Sequence, residues 1–384
     1  MRITDWVVKK PWLFIGLVVL ITGGFLTQFQ YMQMDPDVTS SLPQKIPAKR
    51  LYDRMNDIFP TKDFVFIGIR GDDLFSPKHL REVWDITRTL EDNPDIYKVM
   101  SPTNVSLIRG TEEGMVVEDI LDRPPETPAE IHRYRDRLFH SDLALGNLIS
   151  KDSTMFGIMV LLKKSTDAGD FVDAIIPQVD EWNQQSDLEL ILTGKPVVTH
   201  YVSLGMQRDM STFFMGGLGV IFLLLLVIFR NLRGILLPLS VVILSVIWTL
   251  GTMAALGVPM SHSTEIMPIL IMAIAVADSI HIITHYYANA RTVKDRVDLT
   301  RLTMKDMNSP VIMTSLTTMA GFIALGTSGV ESIITLGVFT ALGVFYALYL
   351  SLTFVPAWLA WLPVPRRLMQ QNHNERLSAA MRSW

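Results

Sequence analysis

Six long apolar runs stand out along the chain against stretches of mixed polarity. A helix needs roughly 20 apolar residues to cross a hydrocarbon core about 30 Å thick. The runs are close to this length, so the pattern predicts six membrane-spanning helices. They cover residues 11–29, 212–229, 234–256, 266–287, 311–327 and 333–362.

The first apolar run is preceded by Lys9 and Lys10, a basic flank that a secretory signal peptide would also show. The run is too long for a signal peptide, and no clear small-residue cleavage site follows Phe29. We therefore expect the first run to be an uncleaved membrane anchor.

Residues 31–207 carry most of the charge and read as an ordinary globular sequence. Strands are predicted at 64–70, 96–100, 154–162 and 188–192, and helices at 77–91, 128–139 and 171–184. This order is typical of ferredoxin-like split βαβ units, with helices on one face of a sheet. The predicted fold class is therefore an α-helical membrane protein with an α+β domain outside the membrane.

These patterns divide the chain into four parts. The N-terminus and first span occupy 1–30, the extramembrane domain 31–207, the other five spans 208–362, and a tail 363–384. A helix that begins near Pro196 is expected to continue from the domain into the second span.

Basic residues cluster at alternate ends of the spans, which indicates the orientation of the chain. They are Arg2, Lys9 and Lys10 before the first span, Arg230 and Arg233 after the second, Arg291, Lys294, Arg296, Arg301 and Lys305 after the fourth, and Arg366 and Arg367 after the sixth. The two intervening short loops, 258–265 and 328–332, contain no Lys or Arg. Because basic loops stay on the cytoplasmic side, we expect a bacterial inner-membrane protein with both termini cytoplasmic and the 31–207 domain outside.

Composition excludes several classes of function. The 384 residues carry a formal net charge of −4, which gives no sign of a nucleic-acid partner. Cysteine is absent, so disulfides, thiolate nucleophiles and cysteine-based metal sites are excluded. The domain histidines lack metal-ligand spacing, and no phosphate loop, nucleophile elbow or catalytic triad motif is present. We therefore expect no enzymatic activity and no metal or organic cofactor.

One acidic residue, Asp278, interrupts the fourth apolar run. It lies about nine residues, or roughly 14 Å, from the cytoplasmic end of the run and so near the bilayer midplane. An ionised carboxylate costs roughly 2.5–3.5 kcal/mol there on insertion scales. Asp278 is therefore expected to face protein or water, to be neutral or partnered, and to be suited to carrying protons.

His281 and His285 share a helix face with Asp278, and the grouping has three interpretations. Proton transfer is favoured, with sodium coupling as a variant. A metal site is the second, although no Glu stands between the histidines as in the zinc-peptidase motif. The third is a purely structural polar cluster that fixes helix packing.

Hydroxyl side chains of the fifth run provide polar neighbours for this acid: Thr314, Ser315, Thr317 and Thr318. Thr317 and Thr318 lie about seven residues from Pro310, near the depth of the acid. Alternatively, some of these hydroxyls bond to carbonyl groups of their own helix. The predicted proton relay consists of Asp278, Ser279, His281, Thr314, Thr317 and Thr318.

Several local strings, in this order and topology, resemble the resistance–nodulation–division (RND) superfamily, especially its hydrophobe- and lipid-exporting, MMPL-like branch. They are LTGKP at 192–196, FRN at 229–231, WTLG at 248–251, ADSIH at 277–281 and SPVIMTSLTT at 309–318. The resemblance covers almost the whole chain, because one span, a large loop domain and five further spans make up one RND half.

The resemblance implies a function that composition alone does not. Superfamily members use proton-motive force, through acids of the fourth span, to drive porter domains that move amphiphiles or lipids outward. Asp278 matches the position of that acid, which implies proton-driven export of hydrophobic, amphiphilic or lipid substrates. Many relatives have paired acids or Asp-Tyr there, whereas this chain has Asp278 and Ser279 followed by His281.

Most relatives contain two such halves in one chain, and this sequence shows one. The resemblance therefore implies a dimer, either a homodimer or a pair with a second half-length RND chain. In the superfamily the two fourth spans lie side by side, so Asp278 of one copy is expected near Ser279 or His281 of the other. Protons would be the coupling ion, and membrane lipids or hydrophobic small molecules the substrates.

Two other classes of function remain open from the sequence. One is a non-transporting membrane scaffold or a lipid- or sterol-type sensor with the same fold. The other is a membrane metalloenzyme that uses His281 and His285.

Overall fold

A computed structural model describes residues 2–37, 46–58, 63–111, 114–290 and 295–363, together with Pro43 and Val293. The chain divides into two compact units, one of Met1–Pro43 with Gly205–Trp384 and one of Gln44–Leu204. Four of the basic residues used for the orientation and the predicted tail beyond residue 363 lie outside the described residues. Those four are Arg291, Lys294, Arg366 and Arg367.

Helices dominate the described residues, and most of the strands lie in the second unit. In chain order the elements are α1 (Arg2–Lys9), α2 (Pro11–Gln28), β1 (Met34–Asp35), α3 (Pro47–Ile58), β2 (Phe64–Arg70), α4 (Pro77–Glu91), β3 (Ile96–Met100), β4 (Ser106–Thr111), β5 (Gly114–Asp119), α5 (Pro128–Phe139), β6 (Met155–Leu162), α6 (Ala168–Gln185), β7 (Glu189–Thr193), α7 (Lys195–Phe229), α8 (Leu232–Ala255), β8 (Met260–Ser261), α9 (Met267–Asn289), α10 (Arg296–Ala324) and α11 (Glu331–Trp361).

Six helices of the described residues, α2 and α7–α11, are long and apolar enough to cross a membrane. Their number and order confirm the six spans predicted from the hydrophobic pattern. Helices suit this role because lipid offers no partner for an unpaired backbone group. α10 begins well before the predicted span at 311, because Asp295 caps it by accepting the backbone N–H groups of Val297 and Asp298, both at 2.9 Å.

Close packing of α8, α9 and α11 forms the interior of the first unit. A Cβ atom at Gly343 of α11 would lie 2.3 Å from Cδ1 of Ile271 in α9 and 2.9 Å from Oγ1 of Thr249 in α8. Glycine at this position therefore allows the three helices to approach closely. α2 is joined to α8 by a hydrogen bond of 2.9 Å from Nε1 of Trp248 to Oγ1 of Thr22.

The short helix α1 precedes the first span and is not among the elements predicted from the sequence. Its Val7 is fully buried. Asp5 forms an ion pair with Arg301 of α10 at 3.2 Å, and Nδ2 of Asn308 donates to Oγ1 of Thr4 at 3.3 Å. These contacts pack α1 against the polar first half of α10.

A two-residue parallel pair, β1 with β8, joins the segment after α2 to the loop between α8 and α9. The Met260 N–H donates to the Gln33 carbonyl at 2.8 Å. The turn after β8 is closed by Thr264, whose Oγ1 accepts the Ser261 N–H at 2.8 Å and whose carbonyl accepts the Met267 N–H at 3.0 Å. β8 is thereby connected to α9 through a tight turn.

The second unit is built on a four-stranded antiparallel sheet with the strand order β3-β6-β2-β7. Val65, Ile67 and Ile69 alternate along β2 and are fully buried, in a core that they share with side chains of α4 and α6. This alternation is the period of two that the strand prediction used. The seven strands and helices predicted for the domain all occur, with ends within three residues of the predicted bounds.

Side-chain caps define where the helices of the second unit begin. Oγ of Ser76 accepts the His79 N–H at 3.3 Å and caps α4, as the sequence predicts. α5 opens with a capping box, in which Thr127 and Glu130 accept each other's backbone N–H groups at 3.3 and 3.0 Å. The backbone N–H groups of Glu126 and Thr127 hold the pKa of the Glu130 carboxyl below its usual value.

The helix α3 and the hairpin of β4 and β5 are further elements that the sequence did not predict. α3 buries none of its residues, so it lacks the contrast between a core face and a solvent face. β4 and β5 pair in antiparallel register from Ser106 with Asp119 to Thr111 with Gly114, and their sequences (SLIRGT and GMVVED) do not alternate cleanly between polar and apolar residues.

We expect Gly194→Ala to destabilise the chain. Gly194 has φ +125°, and a Cβ atom there would lie 2.8 Å from the Phe64 carbonyl oxygen, which belongs to the backbone and cannot move aside cheaply. Strain of this kind costs about 1–3 kcal/mol. Thermal unfolding of the purified chain in detergent should show a lower Tm. Gly205→Ala, inside α7 with open space around it, should leave the Tm unchanged or slightly higher, and an equal loss in both variants would contradict the steric explanation.

Candidate functional site

The Asp278 carboxyl group is buried between α9 and α10. The residue is 6% exposed, and its Oδ2 accepts a hydrogen bond from Oγ of Ser315 at 2.9 Å. Ser315 is itself 2% exposed. Among the described residues, Ser315 is the one hydrogen-bond partner found for this carboxyl group.

Asp278 lies far from either end of its helix. It precedes the end of α9 at Asn289 by eleven residues, which is about 16 Å along the helix axis. A hydrocarbon core is about 30 Å thick. The carboxyl group is therefore close to mid-depth.

Ser279 and His281, the predicted relay residues on α9, point in different directions. Ser279 is fully buried, and its Oγ makes a long hydrogen bond of 3.4 Å to the Ala275 carbonyl. His281, one turn beyond Asp278, is exposed on the surface of the single chain. No hydrogen bond to its ring is found within the described parts of the chain.

Thr314, Thr317 and Thr318, the predicted relay residues on α10, bond to their own helix. Thr314 Oγ1 donates to the Pro310 and Val311 carbonyls at 3.1 and 3.0 Å. Thr317 Oγ1 contacts the carbonyls of Met313 and Thr314 at 3.0 and 2.9 Å, and Thr318 Oγ1 that of Thr314 at 2.8 Å. The structure therefore brings Ser315, and none of the three threonines, into contact with the acid.

Sequence reasoning named Ser315 as a polar neighbour but left it out of the relay. Depth along α10 was the criterion, and it favoured Thr317 and Thr318. The direction of each side chain around the helix is the signal that could have found Ser315. Val311 and Ser315 are four residues apart and both buried, so they mark the inward face of α10 in the membrane.

Further hydroxyl groups lie in the interior formed by α8, α9 and α11. Ser245, Thr249, Thr340 and Ser351 are all fully buried. The first two donate to carbonyls of their own helix at 2.9 and 2.7 Å. For Oγ1 of Thr340 and Oγ of Ser351, no hydrogen-bond partner is found within the described residues. Of these four residues, Thr249 lies in the WTLG string at 248–251, and none is among the predicted relay residues.

A metal centre requires several ligands that converge on one point. No group of three or more His, Cys, Asp or Glu side chains in the described part of the chain is arranged to hold a metal ion. His285 is instead within 3.1 Å of Asn289, between Nδ1 and Nδ2.

One face of α9 is open in the single chain. Its exposed residues recur every three or four positions and are small or polar: Ala273, Ala277, His281, Thr284 and Ala288. An ionisable ring on a membrane-spanning helix is costly against lipid and normally faces protein or water. This surface, which we call the outward α9 face, is therefore unlike the apolar surfaces of α2 and α7.

Six apolar helices of spanning length and a carboxyl group buried at mid-depth define the chain as a polytopic membrane protein. The chain matches the model of the MMPL family over residues 40–384 and belongs to that family. The MMPL family is part of the RND superfamily, and its members are generally transporters of hydrophobic molecules or lipids. The family resemblance described from the sequence is thus confirmed.

The chain is also similar to a protein of the archaeon Methanocaldococcus jannaschii. The two are 25% identical over 371 residues, which cover 91% of this chain and 90% of the relative. The relative's name describes it only as a membrane protein. The similarity therefore extends over nearly the whole of both sequences.

We expect Ser315→Ala to lower the stability of the first unit, because it removes the donor from a buried carboxyl group. Leaving a buried polar group unpaired costs about 1–3 kcal/mol. The Tm of the purified chain in detergent should fall. Thr318→Val is the matched control, since it removes a hydroxyl that bonds only within α10. Equal Tm values for Ser315→Ala and the wild type would show that the 2.9 Å contact contributes nothing.

Proposed function

We propose that the chain is a proton-driven secondary transporter that exports hydrophobic, amphiphilic or lipid molecules, with Asp278 as the proton carrier. The observation that carries this proposal is the burial of the Asp278 carboxyl group at mid-depth with one neutral hydrogen-bond donor. Membership of the MMPL family supports the substrate class.

A single hydroxyl donor does not compensate an ionised carboxylate in apolar surroundings. Carboxylates that stay ionised when buried are paired with a cation or accept several hydrogen bonds. No ion pair of Asp278 is found among the described residues, and its one donor, Ser315, is uncharged. Binding and release of a proton therefore change the free energy of this site by several kcal/mol, which is sufficient to favour one helix arrangement over another.

The proposed route for protons continues from Asp278 along the two helices that enclose it. His281 provides an imidazole ring, which can accept and donate protons, and lies toward the outward α9 face. The proposed relay keeps four polar residues along this route: Ser279, Thr314, Thr317 and Thr318. It adds Ser315, which is the direct hydrogen-bond partner of the carboxyl group.

We further propose that the second unit is a porter-like domain with a ferredoxin-like arrangement. The strand order β3-β6-β2-β7 supports this, because β2-α4-β3 and β6-α6-β7 each form a split unit with one strand of the other between their own two strands. Its position between the first and second spans also agrees with one RND half. The proposed domain limits remain 31–207.

The proposed location is a bacterial inner membrane, with both termini cytoplasmic. The basic residues that the structure describes lie at one set of helix ends. They are Lys9 and Lys10 before the first span, Arg230 and Arg233 between the second and third, and Arg296 and Arg301 between the fourth and fifth. The loops between α8 and α9 and between α10 and α11 contain no Lys or Arg. This asymmetry supports the orientation through the positive-inside rule.

A homodimer is the proposed working form, with a second half-length RND chain as the other possible partner. The outward α9 face supports this, because His281 and Thr284 would otherwise face lipid. Three alanines on the same face permit close helix approach. A two-fold axis along the membrane normal would bring the two α9 helices together in parallel, with Asp278 of each copy near the seam.

Replacing Asp278 with Asn should keep the fold and abolish proton-driven transport. The amide has nearly the same volume and its oxygen still accepts the Ser315 hydrogen bond, but it cannot take up a proton. The purified chain in liposomes, under an imposed pH gradient, is assayed for redistribution of the hydrophobic dye Nile red and of a fluorescent phospholipid. We expect the variant to match empty liposomes.

Asp306→Asn is the control, since it removes an exposed carboxylate from the polar half of α10 and should retain the wild-type rate. Wild-type rates in Asp278→Asn would contradict the proton-carrier role. Transport driven by a sodium gradient without a pH gradient would identify sodium as the coupling ion.

Ala277→Cys should form a covalent dimer on mild oxidation in the membrane. The chain has no cysteine of its own, so a single introduced thiol reports only its own position. Two α9 helices that meet in parallel bring equivalent residues within disulfide reach, with Cα atoms about 4.4–6.8 Å apart. Val220→Cys, on the exposed surface of α7, should remain monomeric on denaturing gels. Equal cross-linking at both positions would indicate random collision instead of an α9 interface.

A further inference from the structure

A cleft opens where α8 begins and where α9 and α11 end. It is narrow, with room for about one water-sized group such as a single phosphate oxygen, and is lined by Arg233, Leu237, Tyr286, Tyr287, Leu359, Leu362 and Pro363. This end of the bundle is the side to which the basic residues assign the cytoplasm. We refer to it as the α8–α9–α11 cleft.

Two arginines lie at this end of the bundle, Arg233 in the lining of the cleft and Arg296 close to Tyr286, and no ion pair of either is found among the described residues. Arg233 donates through Nη1 to the Pro363 carbonyl, and Arg296 donates to the Trp361 carbonyl at 2.7 Å. Both partners are uncharged, and a guanidinium group has five N–H donors, so each arginine keeps donors for another ligand. Asp295 is the nearby acid along the chain, and it is engaged in capping α10 through two N–H bonds.

The start of α8 adds to this positive character. Its first turn contains no acidic residue, so nothing there offsets the partial positive charge of the helix N-terminus. Asn231 fixes the geometry, because its Oδ1 accepts the Gly234 N–H at 2.8 Å and the Tyr287 hydroxyl at 2.9 Å. The first turn of α8 and the last turns of α9 are thereby held together at the rim of the cleft.

Tyr286 provides a second, independent sign of a ligand. The residue is 2% exposed and lines the cleft. No hydrogen-bond partner for its hydroxyl group occurs among the described residues, although its neighbour Tyr287 has one. The ring of Tyr286 is packed inside the bundle, whereas its hydroxyl group is not fully enclosed and can donate to an acceptor that enters the cleft from outside.

The residues that line and surround the cleft favour a lipid ligand over a free anion. Leu237 and Leu359 form an apolar lining beside the two donors. Trp361, at the end of α11, is 51% exposed, which is typical of an aromatic residue at the level of lipid headgroups. An acceptor with negative charge and attached acyl chains matches both parts of this surface.

We propose that the α8–α9–α11 cleft binds the phosphate group of an anionic phospholipid of the cytoplasmic leaflet, with Arg233 and Tyr286 as its donors. The lipid would connect the ends of the three spans α8, α9 and α11. This site is separate from Asp278, which lies deep in the bundle, and does not depend on the proposed transport activity.

Native mass spectrometry of the purified chain in detergent, titrated with phosphatidylglycerol, measures the affinity directly. We expect one tightly retained phosphatidylglycerol and weaker retention of zwitterionic phosphatidylcholine. Arg233→Gln and Tyr286→Phe should each weaken phosphatidylglycerol binding about tenfold, the usual effect of losing a hydrogen bond to a charged group. Arg233→Lys, which keeps the charge, should lose less than Arg233→Gln.

Lys305→Gln is the matched control, because it removes the same charge from an exposed position on the polar half of α10. It should bind phosphatidylglycerol as the wild type does. Tyr286→Phe is expected to fold normally, since its hydroxyl makes no bond within the described chain, and the Tm without lipid verifies this for each variant.

Three results would overturn the proposal. The first is wild-type phosphatidylglycerol affinity in both Arg233→Gln and Tyr286→Phe. The second is equal retention of phosphatidylcholine, which would show that charge is not recognised. The third is displacement of phosphatidylglycerol by inorganic phosphate at equal concentration, which would identify the cleft as a site for free phosphate.

Discussion

The first unit is governed by one constraint: lipid offers polar groups no hydrogen-bond partner, so most of them find one within the protein. The backbone meets it by forming helices. Hydroxyl side chains meet it locally, as Thr314 and Thr318 do by bonding to carbonyls of their own helix. A carboxyl group accepts hydrogen bonds and cannot use helix carbonyls in this way when ionised, so Asp278 depends on a donor from another helix. Ser315 of α10 provides that donor.

α9 therefore has three surfaces with different roles. Ile271 packs into the interior against Gly343 of α11, Asp278 faces Ser315 of α10, and the outward α9 face is open with its small residues and His281. A change in the charge of Asp278 acts at the boundary between the closely packed interior and the open face. In the proposed homodimer, this position would make α9 the helix that communicates protonation of Asp278 to the partner copy.

The spans and the buried acid could be predicted because each can be recognised from a short stretch of the sequence alone. A spanning helix needs only length and apolarity, and Asp278 stands out as the one charged residue within its apolar run. The strands and helices of the second unit follow from the periods of their hydrophobic residues, as along β2, where Val65, Ile67 and Ile69 are buried.

Contacts between helices could not be predicted in this way, because they depend on rotation about each helix axis. Ser315 and Thr314 are neighbours in sequence, yet only Ser315 reaches Asp278. The same limit applies to α1, whose place is set by the distant Arg301 and Asn308.

The small parallel pair of β1 and β8 restricts how α9 can move. The Met260 N–H is bonded to the Gln33 carbonyl, and Thr264 bridges from Ser261 to Met267 at the first residue of α9. The N-terminal end of α9 is thus tethered to the segment that follows α2. Vertical sliding of α9 past α2 would break this tether and leave several peptide groups without partners. Tilting about the tethered end keeps these bonds, so we expect any movement of α9 to be smallest beside β8 and largest at the opposite end of the helix.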